Sequence, residues 1–78
     1  MTILPLSARL VRYLEKRDLK KQFEKQKTLF EHNPFHPSLE TEILEPRHMR
    51  IYSFRITKKY RAIFIYREEG TVEMVDIN

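Results

Sequence analysis

The chain has no cysteine, so neither a disulfide framework nor a thiolate metal site is open to it. Its three histidines, His32, His36 and His48, lack the spacing of a zinc motif, and no metal or cofactor is expected. Glycine occurs once, at Gly70, and no repeat or low-complexity tract is visible. Nearly every residue therefore has to belong to an ordered element. No apolar run approaches the roughly 20 residues that span a bilayer, and the opening MTILPLSARL lacks the charged start and long apolar stretch of a secretory leader. These absences lead us to expect a soluble, cytoplasmic protein with no membrane partner. Its 78 residues should make one domain, over residues 1–78, near the lower size at which a single core sustains a fold unaided.

The charge that is present is unevenly placed. Lysine and arginine outnumber aspartate and glutamate 15 to 11, a net charge of +4 that is a weak pointer to an anionic partner when averaged over the chain. From Arg47 to Arg67, however, stand seven basic residues (Arg47, Arg50, Arg55, Lys58, Lys59, Arg61, Arg67) and no acid, with Glu45 and Glu68 just outside. Such segregation builds a local positive field.

The two halves differ in period. Ser7 can cap a first helix of about ten residues, in which Leu6, Leu10, Val11 and Leu14 recur at helical spacing. Asp18 can cap a second helix from Leu19 to about His32, with Leu19, Phe23 and Phe30 on one face, Leu29 beside them and lysines outward. Asn33 and Pro34 end it. After an irregular stretch punctuated by Pro34, Pro37 and Pro46 come three β-rich runs, Met49 to Ile56, Tyr60 to Arg67 and Thr71 to Ile77. The pattern predicts an α+β fold, a two-helix hairpin packed on a small antiparallel meander.

Turn chemistry sets the register. Glu68-Glu69-Gly70 has the form of a three-residue hairpin loop, which pairs Ile65 with Glu73 and Phe64 with Met74. A three-residue loop over Thr57 to Lys59 places Arg55 opposite Arg61. A two-residue loop would thrust Arg55 among aromatic side chains at a large desolvation cost. One face then collects Tyr52, Phe54, Ile56, Tyr60, Ala62, Phe64, Tyr66, Val72 and Met74 as a floor for the helices. The other holds Ile51, Ser53, Arg55, Arg61, Ile63, Ile65, Glu73, Val75 and Ile77.

The run Tyr52-Ser53-Phe54-Arg55-Ile56-Thr57-Lys58-Lys59-Tyr60-Arg61-Ala62-Ile63-Phe64 resembles the core signature of RelE- and YoeB-like toxins of the RelE/ParE superfamily. The preceding NPFHPSLETEIL is similar to that family's loop before the sheet. The resemblance implies the toxin of a type II toxin-antitoxin system, which cuts messenger RNA on the ribosome and is silenced by a cognate antitoxin. ParE-like members of the same fold poison DNA gyrase instead, and a non-catalytic module that only binds an antitoxin or nucleic acid is a third possibility.

Metal-free RNA cleavage needs a base for the attacking 2′-hydroxyl, cations for the charged phosphorane and an acid for the departing 5′-oxygen. Arg61 is the leading candidate for the cation, because its planar fork can hold two phosphate oxygens, and Arg55 across the ladder would share that role. The resemblance, aligned without gaps, puts Glu42 at the family's catalytic glutamate. Glu40, Glu42 and Glu45 could equally be exposed acids that pair with Arg47 or Arg50. Arg47, Arg50, Lys58, Lys59 and Arg67 would contact RNA phosphates, adding affinity without base identity. His48 could exchange protons near neutral pH. The family also carries a C-terminal tail with histidine and tyrosine, absent from a sequence ending at Asn78, so the resemblance implies impaired cleavage.

Overall fold

The computed structural model describes all 78 residues. Strand β1 (Thr2–Ile3) leads into α1 (Ala8–Lys16) and α2 (Lys20–His32). Short 3-10 turns at Pro37–Leu39 and Arg47–Met49 flank β2 (Glu42–Ile43), and β3 (Tyr52–Arg55), β4 (Arg61–Tyr66) and β5 (Thr71–Ile77) complete the chain. The fold is α+β, and the sheet order is β1-β5-β4-β3-β2. β2 to β5 pair antiparallel, but β1 lies parallel to β5, so the sheet is mixed, with five strands instead of a three-stranded antiparallel meander. The two added strands are two residues each, too short for alternation to reveal them in sequence.

The helix starts differ from one another. Ser7 caps α1, its Oγ accepting from the Leu10 amide at 3.2 Å. Asp18 does not cap α2. It adopts the left-handed conformation (φ 55°) in the turn between the helices, and buried Leu19 takes the cap position with no side-chain bond. The α2 face that carries Phe23, Gln26 and Phe30 is buried. Phe30 stacks on Phe54 with centroids 5.1 Å apart and meets Phe64 edge-on at the same distance. Truncating such a ring typically costs about 3–5 kcal/mol. The Ile3 amide donates to the Glu31 carboxylate at 3.0 Å, which ties β1 to α2.

Arg55 pairs with Arg61, Phe64 with Met74 and Ile65 with Glu73, the pairings expected from turn chemistry. Phe54, Ile56, Ala62, Phe64, Val72 and Met74 are buried, Tyr52 and Tyr60 partly so, whereas Tyr66 at the end of β4 is exposed. Ile77 departs from its expected face. Val75 is an extra residue in β5, between Met74 opposite Phe64 and Asp76 opposite Ile63, so the strand reverses its alternation there. Ile77 consequently lies beside Ala62, 1% exposed, in the core.

Candidate functional site

The strand register puts Glu42, Ser53, Arg55, Arg61 and Ile63 on the face of the sheet opposite the aromatic core. The arginine side chains are about a third accessible, 32% for Arg55 and 27% for Arg61. Arg61 Nε donates to Ser53 Oγ at 2.9 Å, and Nη2 donates to the Glu40 main-chain carbonyl and lies 3.4 Å from Glu42 Oε1. Arg55 Nη1 donates to Glu40 Oε2 at 2.6 Å. Both guanidinium groups thus converge on Glu40, one through its carboxylate and one through its backbone. Neither arginine lacks a counter-charge.

The loop that brings these acids in is held on several sides. Leu39 anchors it in the core with no exposure. His36 Nδ1 accepts from the Ser38 amide at 3.1 Å, and Thr41 Oγ1 donates to the Pro34 carbonyl at 2.6 Å. Glu40 turns the chain through the left-handed region, φ 46°, into β2, where Glu42 pairs with Ser53. From beneath, the amide of Gln26 donates to the carbonyls of Ser38 at 3.2 Å and Arg55 at 2.7 Å, stitching α2 to both loop and strand. Gln26 is 7% exposed, and a buried amide needs such partners. The Asn78 amide and carbonyl bond to the Arg61 carbonyl and amide at 3.1 and 2.7 Å, so the end of β5 runs beside the cluster.

The remaining basic residues divide. Lys58 and Lys59 are exposed in the turn between β3 and β4, adjacent to Arg55 and Arg61. Arg67 lies six residues beyond Arg61, about 20 Å along an extended chain, and is paired with Glu73 at 3.3 Å. Arg47 and His48 occupy the exposed 3-10 turn before β3, with Arg50 in left-handed conformation (φ 54°) behind them. That turn precedes the end of β3 that pairs toward Tyr66, away from Arg61. Glu45 makes no ion pair, and Glu40 and Glu42 pair with Arg55 and Arg61, not with Arg47 or Arg50. In the sequence Glu40 reads only as an exposed acid and Ser53 only as a member of the charged face, and nothing marks Gln26. No group of histidines and acids is arranged to hold a metal ion.

Outside the cluster, partial desolvation of the ring hydroxyl and then the neighbouring Tyr52 phenol raise Tyr66 above its ordinary titration range. No helix is long and apolar enough to cross a membrane.

No family model and no curated sequence matches the chain. Solved structures do. A chain of the heterotetrameric YoeB-YefM toxin-antitoxin complex from Staphylococcus aureus superposes with a TM-score of 0.69 at 15% identity, over 96% of this chain and 88% of that one. The YoeB/ParE toxin from Agrobacterium tumefaciens gives 0.73 at 16% identity, over 99% and 93%. The chain shares the fold of these two toxins. In this fold the arginine cluster sits on the sheet face opposite the aromatic core, bordered by the loop that precedes β3.

Proposed function

We propose that this chain is the toxin of a type II toxin-antitoxin pair, a cytoplasmic endoribonuclease that cuts messenger RNA on the ribosome. The observation that carries this reading is the meeting of Arg55, Arg61 and the Glu42 carboxylate on one accessible surface. The fold shared with YoeB-type toxins supports it.

Bound RNA would exchange phosphate oxygens for the Glu40 contacts of the two arginines. A guanidinium fork holds two such oxygens, and its fixed charge stabilises the extra negative charge of a phosphorane. Glu42, beside Arg61, takes the proton of the 2′-hydroxyl as that oxygen bonds to phosphorus. The bond from phosphorus to the 5′-oxygen breaks, leaving a 2′,3′-cyclic phosphate. No histidine or tyrosine belongs to the hydrogen-bond cluster, so water supplies the proton to the departing 5′-oxygen, and cleavage is correspondingly slow. Lys58 and Lys59 add backbone affinity near the cut, and Arg47, Arg50, His48 and Arg67 contact phosphates farther along.

The cognate antitoxin would cover the same face. Half-buried Ile63 and Ile65 between charged residues suit an amphipathic acidic segment, and one fold neighbour is a YoeB-YefM complex.

Mapping of 5′ ends on translated messenger RNA tests the reading. The chain should produce ribosome-dependent cuts, and Arg61→Ala should lower their rate by about 10²- to 10³-fold with gyrase supercoiling untouched. Transcripts left intact, or cuts unchanged by Arg61→Ala, would overturn it.

A further inference from the structure

A cavity of about 290 Å³ lies at the end of the sheet where α2, the 36–41 loop and the β3–β4 turn meet. Its walls include Lys25, Gln26, Ser38, Arg55 and Thr57, with Ile56 its one apolar contribution. Arg55 belongs both to this cleft and to the cluster with Arg61, so the two sites adjoin. We propose that the cleft is a second nucleotide subsite, which takes the phosphate and ribose next to the cleaved bond. The proposal rests on the RNA-cleaving reading above.

Three features favour a ribonucleotide. Lys25 has no carboxylate within ion-pairing distance, so its charge is available to a ligand. Gln26 commits both amide hydrogens to the Ser38 and Arg55 carbonyls, which fixes the orientation of its amide. Its Oε1 accepts none of these bonds, and no fully buried side-chain atom is left without a partner, so that oxygen keeps some solvent access on a residue that lines the cleft. A cation beside a rigid acceptor matches a phosphate next to a sugar hydroxyl. The ribose 2′-hydroxyl is the donor that separates RNA from DNA. Ordered acceptors of this kind discriminate strongly, because a ligand lacking the donor leaves them unpaired.

A nucleoside 3′,5′-bisphosphate spans both subsites with no internucleotide bond to cut. Calorimetric titration of the full chain should find adenosine 3′,5′-bisphosphate bound at least several-fold more tightly than adenosine 5′-monophosphate. Lys25→Ala should erase that advantage, whereas Arg61→Ala should weaken both ligands. The 2′-deoxy bisphosphate should bind several-fold more weakly to the wild type, and no more weakly than the ribo form to Gln26→Met. If Gln26→Met melts too early to titrate, the Gln26 side-chain amide signals of the wild type must shift on adding bisphosphate. A bisphosphate no tighter than the monophosphate, or an advantage that survives Lys25→Ala, overturns the subsite. If Lys25→Ala alone is without effect, the RNA reading survives; if Arg61→Ala is also without effect, that reading falls too.

Discussion

The two ends of the sheet use arginine in different ways. At one end Arg55 and Arg61 are about two-thirds covered and bonded to carboxylates, a hydroxyl and a main-chain carbonyl. At the other, Arg67 meets Glu73 in a single pair with both side chains roughly half exposed. Exposed pairs of that kind contribute about 0–1 kcal/mol and weaken with salt. Partly desolvated guanidinium groups, held by several acceptors, lose little further freedom when an anion arrives. A basic run in sequence is therefore one feature by composition and two by physics. Its working part is set by which arginines face each other across a ladder.

The contrast can be broken from either side. The largest effect should come from the clustered end: Glu42→Gln is expected to slow single-turnover cleavage by about 10²- to 10⁴-fold, with binding of a non-cleavable RNA nearly unchanged. Retained cleavage would move the base elsewhere. Next, Gln26→Leu should lower stability by roughly 1–3 kcal/mol, read by urea unfolding, because two partly buried carbonyls lose their donor. Stability equal to wild type would mean that water replaces the amide. Arg67→Ala should leave the cleavage rate within about twofold and reduce the slope of log affinity against log salt by at most about one. A loss comparable to that of Arg61→Ala would erase the distinction between the ends.

The smallest effect concerns Tyr66. Partial desolvation and then Tyr52 raise the Tyr66 phenol above the ordinary tyrosine value when folded. The unfolded chain therefore loses this proton first, so the contribution of the group to stability is complete below pH 10 and declines as pH rises through the folded value. Tyr66→Phe should flatten the alkaline fall in melting temperature between about pH 9 and 11. An identical fall in both proteins would refute the assignment.

Much of this was readable before any coordinates. Gly70 and the cost of burying Arg55 sufficed to set the two hairpin registers, and hence the facing arginines, because alternation leaves only two choices of face. The cap at Ser7 and the aromatic face of α2 followed from local spacing. What escaped depends on contacts between distant segments. Gln26 reads as one more polar residue in a lysine-rich helix, and only folding places two carbonyls above it. Glu40 reads as a loop acid, and its reach to Arg55 and Arg61 depends on a left-handed turn that glutamate seldom adopts. β1 exists because β5 and Glu31 offer partners to a two-residue edge.

Val75 also sets which length changes the last strand can survive. Odd and even positions exchange sides after it, so removing this one residue would restore unbroken alternation, with Asp76 still opposite Ile63 and Ile77 still against Ala62. Swapping its side chain for another of similar bulk would leave that parity intact. The final stretch, flush against Arg61, should thus tolerate at Val75 both altered chemistry and loss of the residue.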